Sequence, residues 1–447
     1  MSKQPIPIKA NDCSLFTFSE LSVIPEIISA FEEANVFHTM PKDDSNETIL
    51  SYNSKRKQWE TGRYVGDLFF TSNKKDYHFR VEPRFGNVFL LNMFEEAFNV
   101  KIPTSNSEFK STFSSDLWIK RLISFIWIKK LAKANKHGLP YKQNKLVHFS
   151  SDVKGRLNIN KSKISLFTTG NVVSETVIKQ LDNVAVQILK KAHQTLESNF
   201  SLTSFKSPQH AKEVILVLKS ISKQYSIITK TAFQKISYKD IYACYHDLVN
   251  FSWLIINNRM LSVRNQAKEG KKGFSVFLDV AELWELYLLN ILKKNLNTMG
   301  WNVYSNQFEI YKHKAFYRKI IPDIIIEKDD SVLIFDAKYK RMEFDYFDYD
   351  RTDFFQIHTY TFFKSLGKKV VCAGLLYPLS KNFDSITIEN NTDTIFGKKK
   401  ENILFKIDGI DLSEINLELD FEKQMNKLKL KEDEFINRII TLILKYD

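Results

Sequence analysis

The residues with the clearest chemical use lie between Ile321 and Lys340, in the run Ile-Pro-Asp-Ile-Ile-Ile-Glu-Lys-Asp-Asp-Ser-Val-Leu-Ile-Phe-Asp-Ala-Lys-Tyr-Lys. Two carboxylates, Asp323 and Asp336, and one ammonium, Lys338, punctuate apolar and mostly β-branched segments, which favour a buried pleated surface. Residues 324–326 and 332–335 read as strands around a polar turn at 327–331. A hairpin symmetric about Asp329 and Asp330 sets Asp323 opposite Asp336, with Cβ atoms about 4.5–5.5 Å apart on a shared face. Lys338, two residues beyond Asp336, points to that same face. Two carboxylates so placed can hold Mg²⁺, which takes oxygen ligands and keeps several waters. Such an ion lowers the pKa of a bound water and offsets charge on a phosphate oxygen. The lysine can orient that water or neutralise the phosphate. An exposed hairpin with a salt bridge would use the same residue types. The Pro322-Asp323 pair and the apolar filling favour the chemical reading.

Pro322-Asp323 with Asp336-Ala337-Lys338 resembles the metal site of the PD-(D/E)xK nuclease superfamily. Downstream, residues 352–367 read as a helix ended by Gly367. Gln356 and Tyr360 are four apart and stack on one face, similar to the Gln-x-x-x-Tyr helix that follows the lysine strand in one branch of that superfamily. The resemblance implies that Gln356 touches the site or a DNA phosphate. Upstream, residues 279–292 open a strongly apolar helix with two glutamates. Asp279 and Glu282 have capping-box spacing. Glu285, one turn further in between Trp284 and Leu286, is costly unless paired or bound to metal. Glu285 is therefore assigned to the site and Glu282 to the cap. The candidate catalytic residues are Asp323, Asp336, Lys338, Glu285 and Gln356, and the metal set is Asp323, Asp336 and Glu285, for Mg²⁺ or Mn²⁺. Tyr360, Lys340, Lys154 and Arg156 are candidates for DNA contact.

The elements that must position these residues belong to a chain of 447 residues, long enough for two to four domains. Net charge is +13, with Lys and Arg spread along the chain, which suits a polyanion such as double-stranded DNA. Cys13, Cys244 and Cys372 form neither a zinc spacing nor a disulfide framework, which fits a reducing cytoplasm. Neither a signal peptide nor a membrane span is expected. The pattern divides into an N-terminal extension (1–50), a β-rich unit (51–110), a helical middle (111–270) and a C-terminal nuclease domain (271–447). Within the extension, 42–47 reads as an exposed connection. The β unit is expected to hold strands at 64–70 and 77–83 and a helix at 88–98. The middle is expected to hold a helix at 116–134, a basic strand at 153–159, and helices at 176–198, 209–225 and 240–258. Residues 264–274 read as a linker. The nuclease domain reads as helix 279–297, strand 301–311, hairpin 319–338, helix 352–366 and strand 369–377, with a terminal helix at 431–445. Residues 342–350 read as a loop over the site. The fold class is thus α/β in the broad α+β sense: a multidomain chain ending in a mixed sheet flanked by helices.

From about residue 55 the chain resembles McrC, the nuclease subunit of McrBC-type restriction systems. Four stretches carry the likeness: Tyr64-Val-Gly-Asp-Leu with Arg80-Val-Glu-Pro-Arg-Phe-Gly; Lys154-Gly-Arg-Leu with Asp182-Asn-Val; Phe277-Leu-Asp-Val-Ala-Glu-Leu-Trp-Glu; and Asp323, Asp336, Lys338 and Gln356 with Gly374-Leu-Leu-Tyr-Pro. The resemblance implies a DNA endonuclease of an anti-phage defence system. It also implies docking, through the N-terminal β unit, onto an AAA+ GTPase or ATPase ring that moves the DNA. No Gly-x-x-x-x-Gly-Lys-[Ser/Thr] loop occurs, so the motor is another polypeptide. The alternatives are a non-catalytic activator that grips DNA on such a ring, or a stand-alone repair nuclease.

Overall fold

The computed structural model describes residues 5–18, 21–32, 35–37, 48–54, 56–99, 118–199, 209–221, 228–257, 276–312, 317–340, 351–380, 403–415 and 420–446. The connection at 42–47, the linker at 264–274 and the loop at 342–350 lie outside these residues. Contacts group the chain into two compact units, Met1–Asp116 with Leu261–Asp447, and Leu117–Met260.

The first unit opens with β1 (Ile6–Asn11), β2 (Leu15–Phe16), α1 (Ile24–Glu32), β3 (Asn35–Phe37), β4 (Leu50–Asn53), β5 (Gln58–Thr61), β6 (Tyr64–Ser72), β7 (Lys75–Glu82) and α2 (Gly86–Phe98). Alternation in β7 turns Tyr77, Phe79 and Val81 inward. Ile24, Ile27 and Phe31 of α1 close over that face. β1, which carries no strong strand signal, pairs in parallel with β7 and antiparallel β6 continues the sheet. β2, β5 and β4 form a separate three-stranded sheet.

The second unit holds α3 (Trp118–Ala134), β8 (Lys142–Ser150), β9 (Arg156–Leu157), α4 (Ile159–Thr169), β10 (Val172–Gln180), α5 (Val184–Asn199), α6 (Gln209–Ser220), α7 (Lys230–Gln234) and α8 (Tyr245–Asn257). The helix expected over 176–198 starts only at Val184. Its first residues instead belong to β10, antiparallel to β8 from Val172 opposite Ser150 to Gln180 opposite Lys142. Val172, Val173, Val177 and Ile178 are β-branched and suit a strand. Asn183, accepting from the Val186 amide at 3.2 Å, starts the helix. The strand expected over 153–159 shrinks to two residues, because Asn158 caps α4 by accepting from the Lys161 amide. Trp127 is fully buried and donates to Ser252 Oγ at 2.8 Å, tying α3 to α8.

The first unit resumes with β11 (Val276–Asp279), α9 (Val280–Leu296), β12 (Asn302–Tyr304), β13 (Phe308–Lys312), β14 (Tyr317–Ile320), β15 (Ile324–Lys328), β16 (Ser331–Ala337), α10 (Arg351–Ser365), β17 (Lys369–Leu379), β18 (Leu404–Asp411) and α11 (Phe421–Ile443). β11 lies in the N-terminal sheet, antiparallel to β6 and parallel to β3. The start of the expected nuclease domain is therefore woven into the first sheet. The strand expected over 301–311 is two: β12 joins the five-stranded sheet β12-β15-β16-β17-β18, and β13 pairs with β14 alone. α11 begins ten residues before the expected helix, capped by Asp420. Gly374 is required where β17 meets β18, since a Cβ there would stand 1.9 Å from the Lys406 carbonyl oxygen.

A buried polar cluster joins α2, α9 and α11. Tyr287 donates to Glu432 Oε2 at 2.7 Å, and Asn92 Nδ2 donates to the same oxygen at 3.1 Å. Burial and the Glu432 charge push the Tyr287 hydroxyl pKa well up, so it stays a donor. Tyr287→Phe removes that donor from a buried carboxylate and is expected to cost about 1–3 kcal/mol. The check is a lowered urea midpoint with an unchanged denaturant slope.

Candidate active site

β15 and β16 pair from Ile324 opposite Phe335 to Lys328 opposite Ser331, so the next pair outward is Asp323 and Asp336. This is the register that symmetry about Asp329 and Asp330 requires. Asp329 turns the chain with φ 51°, a left-handed conformation that aspartate tolerates better than most residues. By alternation Asp336 shares its face with Ile334 and Val332, and Asp323 with Ile325. Those three apolar residues pack with Ile357 and Tyr360 of α10. The carboxylates therefore sit under the helix that carries Gln356.

Asp323 Oδ2 accepts from the Ala337 amide at 2.8 Å. Asp336 is fully buried. Lys338 Nζ stands 2.5 Å from Asp336 Oδ2 as an ion pair. That ammonium donates to Gln356 Oε1 at 2.8 Å, and Gln356 Nε2 donates to the Tyr360 hydroxyl at 2.6 Å. Asp353 holds Lys338 at 3.4 Å through one oxygen and Lys340 through the other.

The electrostatics follow from crowding like charges out of water. Asp323 is half-buried by surface area, yet desolvation of its carboxyl, then the charges of Asp336 and Glu285, raise its pKa well above the usual range. Burial also raises Asp336, against the pull of Lys338. Burial of Lys338 opposes its charge, but Asp336 and then Asp353 outweigh this and raise its pKa, so the ammonium keeps its proton.

Asp323, Asp336, Lys338, Gln356 and Tyr360 thus come together. Tyr360 is 5 % exposed and bonded to Gln356, so it positions that side chain rather than offering a free surface to DNA. Lys340 is tied to Asp353. Glu285 is half-buried on α9 and acts on Asp323 through its charge. No group of three or more His, Cys, Asp or Glu side chains able to hold a metal ion forms among the described residues. The close carboxylate pair is Asp323 with Asp336, from adjoining strands, while Glu285 approaches from a helix. Lys154 and Arg156 are exposed and belong to the other compact unit.

Sequence reasoning missed Asp353. Its signal was present: it precedes Gln356 by three residues, which puts both on one helical face. It also missed what holds Tyr339, the residue between the two lysines. Arg84 lies 4.9 Å over the Tyr339 ring, and Arg84 N donates to Asp12 Oδ1 at 2.5 Å. Cys13 Sγ donates to the Tyr339 carbonyl at 3.5 Å. No local pattern links residues some 250 to 330 positions apart.

The donor set fits a hard divalent cation: two carboxylates on adjoining strands, one of them fully buried. A family model described as the McrBC 5-methylcytosine restriction system component matches residues 59–378. Nothing among curated proteins matches. Two solved assemblies from Thermococcus gammatolerans are similar. One is a refined half-complex from a tetradecameric assembly of McrB AAA+ hexamers with bound McrC, at 12 % identity, 94 % coverage of this chain and 99 % of that chain, and TM-score 0.46. The other is a cryo-EM structure of the McrBC complex, at 12 % identity, 66 % and 88 % coverage, and TM-score 0.35.

Proposed function

Since the chain belongs to the McrBC 5-methylcytosine restriction system component family, we propose that it is the nuclease subunit of such a system, a Mg²⁺- or Mn²⁺-dependent endonuclease that cuts double-stranded DNA while docked on an AAA+ partner. The observation that carries this reading is the facing Asp323–Asp336 pair with Lys338 at its side. Asp323 and Asp336 would hold the ion, with water completing its shell. When bound, the ion supplies Lewis acidity, acidifying a water and offsetting charge on the phosphate. The chain's own residues do the positioning. The Ala337 amide fixes Asp323. Gln356 and Asp353 fix the Lys338 ammonium, which carries its proton and can neutralise a phosphate oxygen or orient the attacking water. Tyr360 in turn fixes Gln356. Glu285 adds negative charge that favours a cation at Asp323. The test is divalent-dependent DNA cleavage in the presence of the motor, wild type against Asp336→Asn.

Docking needs an apolar surface. Among the described residues, the large exposed hydrophobics of the N-terminal sheets are Ile6, Leu15 and Tyr52, whereas eleven lie between Leu146 and Ile178 of the middle unit. Ile164 is 73 % and Phe167 91 % exposed on α4. Ile164 and Phe167, three apart on α4, share one exposed apolar face, and we propose that the AAA+ partner also docks there. Ile164→Ser with Phe167→Ser is expected to change the chain's own stability by less than about 0.5 kcal/mol and to abolish co-elution with the partner. Undiminished co-elution would remove α4 from the interface.

A further inference from the structure

The middle unit contains a cavity of about 610 Å³ that the nuclease reading leaves unused. Its size lies within the roughly 300–1,000 Å³ of small-ligand sites. Its wall combines Tyr141, Tyr238 and Tyr242 with Lys142, Lys235 and Lys239, and no carboxylate is among its lining residues. The fold brings these together because residues 140–144 lead into β8 while 235–242 bridge α7 to α8. Tyr141 and Tyr242 meet edge to face with centroids 5.8 Å apart. The Lys179 and Lys239 ammonium groups stand 4.9 and 5.6 Å from the centre of the Tyr141 ring. Tyr141 and Tyr238 are half-buried, and the three lining lysines are exposed. Aromatic faces and several cations therefore share one concavity.

That combination selects the ligand. Lysines alone would suit any polyanion. Aromatic rings beside them add a stacking surface that every nucleobase can use. An acidic peptide would pair with the lysines and leave the rings unused. We propose that this cavity binds an unpaired nucleotide within a nucleic-acid strand, its base against Tyr141 and Tyr238 and its phosphates against Lys142, Lys235 and Lys239. The proposal stands apart from the nuclease reading, since none of these residues belongs to the Asp323–Asp336 site.

The test uses the full chain in EDTA with a labelled single-stranded oligothymidylate, read by fluorescence anisotropy across a salt series. Lys235→Glu with Lys239→Glu is expected to weaken binding at least tenfold, roughly, and to flatten the slope of log affinity against log salt by about 1.4, since two phosphates would no longer be neutralised. Tyr238→Ala is expected to weaken binding about fivefold or more, with Tyr238→Trp retaining most of it. Unchanged affinity in the exposed lysine double variant, whose circular dichroism reports folding, overturns the proposal. So does complete displacement of the strand by free GTP or ATP, which would assign the cavity to a free nucleotide.

Discussion

Asp336→Asn is expected to lower DNA cleavage by at least about a thousandfold, the several kcal/mol that a correctly held divalent ion contributes at roughly 1.4 kcal/mol per tenfold. In EDTA the variant is expected to melt no lower than the wild type. Asp336 is fully buried, and its pKa is raised chiefly by desolvation. An acid whose pKa rises on folding works against the fold at neutral pH. The neutral amide removes that cost and relieves Asp323, whose pKa the Asp336 charge also raises. Lys338 keeps Asp353 and Gln356 as partners. Added Mg²⁺ should raise the wild-type melting temperature by mass action, and the variant's far less. Cleavage within about tenfold of wild type, measured with the motor present, would remove Asp336 from the reaction.

Lys338→Met should move stability the other way. The wild-type ammonium stands against Asp336 and Asp353 with only 17 % of its side chain exposed. Removing one partner of a buried ion pair leaves a buried charge uncompensated and costs about 3–5 kcal/mol. Asp353 retains Lys340, so Asp336 carries most of the loss. Cleavage is expected to fall about 10²–10³-fold, the loss seen when one preorganised electrostatic donor is removed. Lys338→Arg is not expected to restore it, because a guanidinium fork cannot occupy the place of a point ammonium between Asp336, Gln356 and Asp353. Urea titrations in EDTA and in Mg²⁺ distinguish the two effects: the ion should offset the stability loss but not the rate loss. A Lys338→Met protein as stable as wild type in EDTA would contradict the ion-pair account.

The two variants together separate charge balance from folding. Asp336→Asn removes the proposed metal ligand while lightening the electrostatic load, and Lys338→Met keeps both carboxylates while increasing that load. A general packing defect would lower stability in both.

What the sequence determined by itself is local. The β-branched runs, the polar turn and a side-chain period of two put Asp323, Asp336 and Lys338 on one face, and the β15–β16 register follows from those rules. Helical spacing stacked Gln356 on Tyr360, and the same rule would have added Asp353. Local rules failed where partners are distant. Residues 176–180 read as the start of a helix over 176–198, although Val177 and Ile178 are β-branched, and pairing with β8 made them part of a strand. Only the tertiary structure decided that β11 inserts between β6 and β3 of the N-terminal sheet, and that Arg63 ties down Asp279, the cap of the helix bearing Glu285, at 2.9 Å. It alone decided that Asp12, Cys13 and Arg84 grip Tyr339 between the two site lysines. The reason is physical: spacing along a chain fixes which side chains share a face, whereas a contact between residues hundreds apart depends on how whole elements bury their apolar sides, and no local pattern encodes that.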